Sequence, residues 1–179
     1  MKKTVLTFGV ISGLIVSGML VITMPFHEQI GWDRAEVIGY ASMLAAFLLI
    51  YFGVRSYRDN MAGGSVTLGR AFKVGALIAL VSAVMYTATW QVLYFGFDSD
   101  FAEVYAEHQM DEAREKGATQ AELDRKAAEM KRFAEMYQNP VINAGITLME
   151  ALPLGLVVAF LSAIALSRRG VSAPSMSPS

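Results

Sequence analysis

The stretch MEALPLG, Met149 to Gly155, places one carboxylate, Glu150, inside the last long apolar run of the chain. A charge at mid-bilayer costs about 2.5–3.5 kcal/mol on insertion scales, so Glu150 should face protein or water. Two roles are open to it. It can bind a proton, a cation or a cationic ligand, or it can accept hydrogen bonds as a structural pin between helices. An intramembrane acid is a functional candidate by default, but relays use several groups and this carboxylate has no charged companion within the apolar stretches Thr4–Met24, Val37–Val54, Val74–Phe97 and Val141–Leu166. The two roles therefore weigh equally. Tyr40, Trp90 and Gln91 are the expected hydrogen-bond donors, and Arg34 is the nearest cation along the chain. Pro153 withholds the amide that the Met149 carbonyl would use, so a helix kink is expected there, with room for a small polar pocket.

Other chemistry is thinly supplied. There is no cysteine, which excludes disulfides, thiolate nucleophiles and cysteine metal sites. The two histidines, His27 and His108, are far apart and belong to no zinc-binding spacing, so no metal and no cofactor is expected. GGSVTLGRAFKVG, Gly63 to Gly75, has the GxxxxG spacing of a phosphate loop at Gly64 and Gly69. Arg70 and Ala71 then stand where lysine and Ser/Thr are required, and no strand precedes the loop. The sequence reads better as a tight turn at Gly63 and Gly64, a helix capped by Ser65 or Thr67, and Arg70 and Lys73 extending toward lipid headgroups. A lone carboxylate makes no acid–base pair, so a non-enzymatic protein is expected.

The elements that must position these residues are membrane helices. The chain has 179 residues, 54% hydrophobic and 17% charged, with mean hydropathy +0.41 and formal net charge -1. Soluble domains average about 25% charged residues. A bilayer core of about 30 Å needs about 20 helical residues. Four runs meet that length: 4–24, 35–55, 72–97 and 141–166. The first is too long for a signal-peptide core and lacks a small-residue cleavage site, so it reads as a retained span. Basic residues set the orientation. Lys2, Lys3, Arg55, Arg58, Arg70, Lys73, Arg168 and Arg169 fall at one end, while 98–139 holds eleven acids and six bases. Positive-inside bias puts both termini in the cytoplasm and 98–139 in the periplasm of a bacterial inner membrane. Trp32, Trp90, Tyr94 and Phe95 then fall at the outer interface, and Tyr51, Phe52 and Tyr57 at the inner one.

The expected fold is all-α: a polytopic membrane protein with four transmembrane helices and a periplasmic amphipathic hairpin between the third and fourth. Residues 1–169 form a single membrane domain, and the Ser/Pro-rich 170–179 a disordered cytoplasmic tail. Within the hairpin, Gly117 stops one helix, and Thr119 with Glu122 has the capping-box spacing that starts the next. Leu123, Ala127, Met130, Ala134 and Tyr137 make an apolar stripe with Phe133 beside it, either a cap packed on the bundle or a docking surface. Small residues recur every four positions: Gly9, Gly13, Ser17; Gly75, Ala79, Ala83, Thr87; Ala151, Gly155, Ala159, Ala163. Such faces allow close helix approach, within one bundle or between two copies. The partners expected are the lipid bilayer and either a second copy or another membrane or periplasmic protein. Nucleic acid is not among them.

Four stretches together carry a family resemblance: GGSVTLGRAFKVG, WQVLYFGF, DFAEVY, and YQNPVINAGITLMEALPLGLVVAFLSAIAL. The chain resembles the bacterial membrane proteins grouped as domain of unknown function 4199, from about Thr4 to Arg169 on the span reading. The resemblance implies a four-span inner-membrane protein with a helical insert before the last span. It implies no activity and assigns no residue a role.

Overall fold

The computed structural model describes residues 1–26, 30–97 and 100–167. Six α-helices are present among them: α1 (Lys2–Thr23), α2 (Trp32–Met61), α3 (Leu68–Phe97), α4 (Phe101–Glu115), α5 (Gln120–Tyr137) and α6 (Pro140–Leu166). A 3₁₀ turn, Met24–Phe26, follows α1. No strand occurs among the described residues. The expected basic pair Arg168 and Arg169 and the tail 170–179 lie outside the described residues.

Four helices are long and apolar enough to cross a bilayer: Lys2–Thr23, Arg34–Met61, Leu68–Phe97 and Pro140–Leu166. They correspond to the four expected spans, with the second and third extended by several residues into the turn between them. At 1.5 Å per residue, the 30 residues of α2 run to about 45 Å, well beyond a hydrocarbon core of about 30 Å. The core holds Phe47, Ile50, Val54 and Ile78 together with many small residues, and large apolar side chains also cover the outside. Ala71, Ala79, Ala83, Ala151, Ala159, Ser12, Ser82 and Asn143 are buried, while Leu14, Ile22, Leu48, Val92 and Phe160 are exposed on its outside. With lipid as the outer solvent, large apolar side chains belong outside and small ones between helices.

The small-residue faces do the packing within the chain. The most extensive contact is between α3 and α6, followed by α1 with α3. A Cβ placed on Gly155 would come within 2.8 Å of Ala79 Cβ, and one on Gly75 within 2.9 Å of Ala159 Cβ. Gly9 and Gly13 face Val81 and Met85 in the same way. The GxxxG face of α1 is thus occupied by α3. Hydroxyls add cross-links: Ser12 Oγ donates to the Ala46 carbonyl at 2.9 Å, Ser82 Oγ to the Gly9 carbonyl at 3.1 Å, and Thr89 Oγ1 to Ser17 Oγ at 3.0 Å. Such bonds contribute about 0.6 kcal/mol each in a membrane interior.

Turn chemistry follows the sequence. Gly63 and Gly64 have φ of +68° and +84°, a region that favours glycine, and carry the chain from α2 to α3. Thr67 Oγ1 accepts from the Arg70 amide at 3.4 Å and opens α3. Arg70 and Lys73 are exposed on its first two turns, and no strand leads into the glycines. Gly117, at φ +78°, ends α4. Thr119 and Glu122 form the capping box of α5, with the Thr119 amide donating to Glu122 Oε2 at 2.8 Å. Asn139 caps α6, its Oδ1 accepting from the Val141 amide at 2.9 Å, with Pro140 at the first helical position.

Candidate functional site

The hairpin α4–α5 is laid across one end of the bundle, and a cavity of about 650 Å³ lies beneath it. Helical spacing explains the lining. On α2, Glu36, Tyr40 and Met43 stand at i, i+4 and i+7, one face of the helix. On α3, Tyr86 and Trp90 are one turn apart, and on α6, Thr147 and Glu150 stand together. The roof comes from α4 through Phe101, Tyr105, His108 and Glu112, and from α5 through Met130, Phe133 and Tyr137. The apolar stripe of the hairpin is therefore a cap over the bundle at Phe133 and Tyr137. Further along the stripe Ala127 stays exposed, while Leu123 at the far end is half-buried.

Aromatic contacts hold the roof down. Trp32 stacks on His108 with ring centroids 5.5 Å apart and meets Phe101 at 5.4 Å and Tyr105 at 5.7 Å. Trp90 packs edge-on against Phe101 at 4.9 Å, and its Nε1 donates to the Tyr137 hydroxyl at 3.0 Å. Tyr94 and Tyr137 meet edge to face at 5.2 Å. Burial raises the Tyr137 phenol above its ordinary range, so it stays a neutral acceptor for the indole. Trp90 and Tyr94 are thus buried in an inter-helix cluster, where the sequence suggested interfacial anchors. The reason is the hairpin, which covers the surface they would otherwise present.

Glu150 faces the cavity. It is exposed and opens onto that space. Of its expected donors, Tyr40 and Trp90 share that lining with it and Gln91 does not. Trp90 has one N–H, already given to Tyr137. Gln91 Nε2 donates instead to Asn143 Oδ1 at 2.7 Å. Both donors are claimed by partners nearer the hairpin, so the expected bonds from Trp90 and Gln91 to Glu150 are replaced by bonds that join α3 to α5 and α6. Arg34 is exposed and does not line the cavity; Glu36 does, on the same side as Tyr40. No ion pair to Glu36 or Glu150 occurs among the described residues. Pro153 is exposed on the outside of α6, which continues through it to Leu166. Pro153 does not line the cavity.

Three contributors escaped the sequence reading. Asn143 is fully buried; its Nδ2 donates to the Tyr137 carbonyl at 3.2 Å while its Oδ1 takes Gln91. Its signal was its place one and two turns before Thr147 and Glu150 on the same face of an apolar helix. Glu36 looked like a loop acid, and Tyr86 an ordinary span residue. Glu112, the third acid of the lining, already has a partner in Lys116.

Among the described residues, the lining contains eight aromatic side chains, three glutamates and one histidine, with no lysine or arginine. No group of three or more His, Cys, Asp or Glu residues is arranged to hold a metal ion among the described residues. Chemically, the arrangement can hold a small molecule against aromatic faces and present carboxylates to it.

No curated protein and no solved structure matches this chain. A family model matches residues 7–168, nearly the whole length of helices and hairpin just described. The chain therefore belongs to the family described as protein of unknown function (DUF4199).

Proposed function

We propose that this protein is a non-enzymatic membrane component that holds a small ligand in the cavity between its bundle and its hairpin. The observation that carries the reading is the cavity itself. About 650 Å³ lies within the range of about 300–1,000 Å³ typical of small-molecule sites, and a few convergent polar groups sit in an aromatic wall. The setting is a bacterial inner membrane. The basic ends around Lys2, Lys3, Arg55 and Arg70 lie on the cytoplasmic side and the acidic hairpin on the periplasmic side, by the positive-inside bias. Ligand then reaches the cavity from the periplasm.

Binding is favoured over complete transport, because four spans without an internal repeat lack the paired halves of transporter folds. Coupled ion or proton movement through Glu150 is the second reading, and it requires association of several copies. A further partner, a second copy or a periplasmic protein, has the outer face of the hairpin to use, where Met110, Ala127 and Met130 line a groove of about 710 Å³.

The test uses the neutral fluorescent dye Nile red and the purified protein in lipid nanodiscs, corrected for dye in empty discs. Gly39 lines the cavity and an added Cβ there meets nothing within 4 Å, so Gly39→Phe fills the space without a clash at the helix. Saturable binding that falls about tenfold in Gly39→Phe is expected, a loss of about 1.4 kcal/mol. Binding that is absent, or unaffected by filling the cavity, would overturn the reading.

A further inference from the structure

The identity of the wall residues goes further and selects the charge of the ligand. This inference rests on the proposed binding role of the cavity. We infer that the cavity takes a lipophilic organic cation, an amine or onium group on an apolar body, with its charge between Glu36 and Glu150.

Three observations converge. The first is charge balance. Glu36 and Glu150 come from different helices, α2 and α6, and face the same space, with no ion pair to either among the described residues. Like charges facing one confined space are unfavourable, and a cation placed between them relieves both. The second is the wall. Tyr40, Tyr86, Trp90 and Phe101 line the same space as the acids. The faces of such rings attract cations by about 0.5–2 kcal/mol each, depending on desolvation. An anionic ligand would meet the carboxylates and be repelled by them.

The third is size. The space is far larger than one hydrated inorganic ion needs, and the described residues present no metal-coordinating group. Met24, Met43 and Met130 contribute adaptable apolar surface, suited to a body whose shape is not tightly defined. An organic cation satisfies the carboxylates, the rings and the volume at once.

The experiment compares two probes with the same triphenyl body in nanodiscs of zwitterionic lipid: methyltriphenylphosphonium, which is cationic, and triphenylphosphine oxide, which is neutral. Calorimetry measures both on wild type, Glu150→Gln and Glu36→Gln. The phosphonium should bind at least about tenfold more tightly than the oxide. Glu150→Gln should reduce that preference to about threefold or less, leaving the oxide affinity in place as evidence that the cavity is intact. Equal affinities in wild type, or a preference that survives both substitutions, would overturn the cation assignment while leaving the cavity a binding site. If neither probe nor the neutral dye binds, the binding role itself fails.

Discussion

Trp90 Nε1 lies 3.0 Å from the Tyr137 hydroxyl, and that one bond ties the third membrane helix to the hairpin. Around it, Phe101, Tyr94 and Phe133 make ring contacts from three helices. The backbones of α4 and α5 make few contacts with the bundle, so side chains carry the attachment. The hairpin is held as a roof by a small number of identifiable contacts, and removing any of them has a local readout.

Trp90→Phe keeps an aromatic ring and removes the donor. The expected loss is about 1 kcal/mol, the net value of one hydrogen bond. Amides in 101–137 should exchange faster while those in the middle of α3 keep their protection. Equal acceleration in both regions would mean that the bond supports the whole bundle and not the roof.

Gln91 and Asn143 form the second tie. Replacing each by leucine, singly and together, should give a coupling energy of about 0.6–1.7 kcal/mol, the span found for polar pairs between membrane helices. Thermal unfolding in detergent reports it. A coupling of zero would show that the 2.7 Å contact contributes nothing to stability.

The close α3–α6 approach has its own test. At Gly155 a new Cβ meets Ala79 Cβ at 2.8 Å, so Gly155→Val must push two backbones apart and should destabilise by about 1–3 kcal/mol. Gly18, on α1, has nothing within 4 Å of an added Cβ, and Gly18→Ala should be neutral or stabilising by about 0.5–1 kcal/mol through helix propensity. The two variants should move the melting temperature in opposite directions or by clearly unequal amounts.

The start of α5 should respond to acid. The Thr119 amide, and then its hydroxyl, hold the Glu122 carboxyl below the usual carboxylate range. A carboxyl whose folded pKa is depressed stabilises above its unfolded value, about 4.3, and loses that contribution as pH falls through the folded value. Amides at 119–123 should therefore lose protection below about pH 4. Glu122→Gln keeps an acceptor at that position but should abolish the pH dependence.

Membrane orientation can be read directly, because the chain has no cysteine of its own. Single substitutions Ser65→Cys, in the α2–α3 turn, and Ala118→Cys, in the hairpin turn, place a thiol at each end of the bundle. In intact cells a membrane-impermeant maleimide should label Ala118→Cys and spare Ser65→Cys. The reverse pattern would invert the topology and put the cavity mouth in the cytoplasm.

The sequence by itself determined the helices. Apolar runs of membrane length, Gly63-Gly64 and Gly117 as stops, Thr119 with Glu122 and Asn139-Pro140 as starts are all local signals, and each fixes a boundary through its own backbone hydrogen bonds. It also singled out Glu150, because a carboxylate in an apolar helix is costly wherever it points. What surrounds Glu150 was decided only by tertiary structure. Trp90 and Gln91 lie near it in depth, but a donor goes to whichever acceptor the packing brings closest, and those are Tyr137 and Asn143. Glu36 joins Glu150 because α2 and α6 bring their cavity faces together under a roof that the linear pattern does not place. A residue's cost of burial is a property of its own chemistry, whereas its partner is a property of how helices from distant parts of the chain come together.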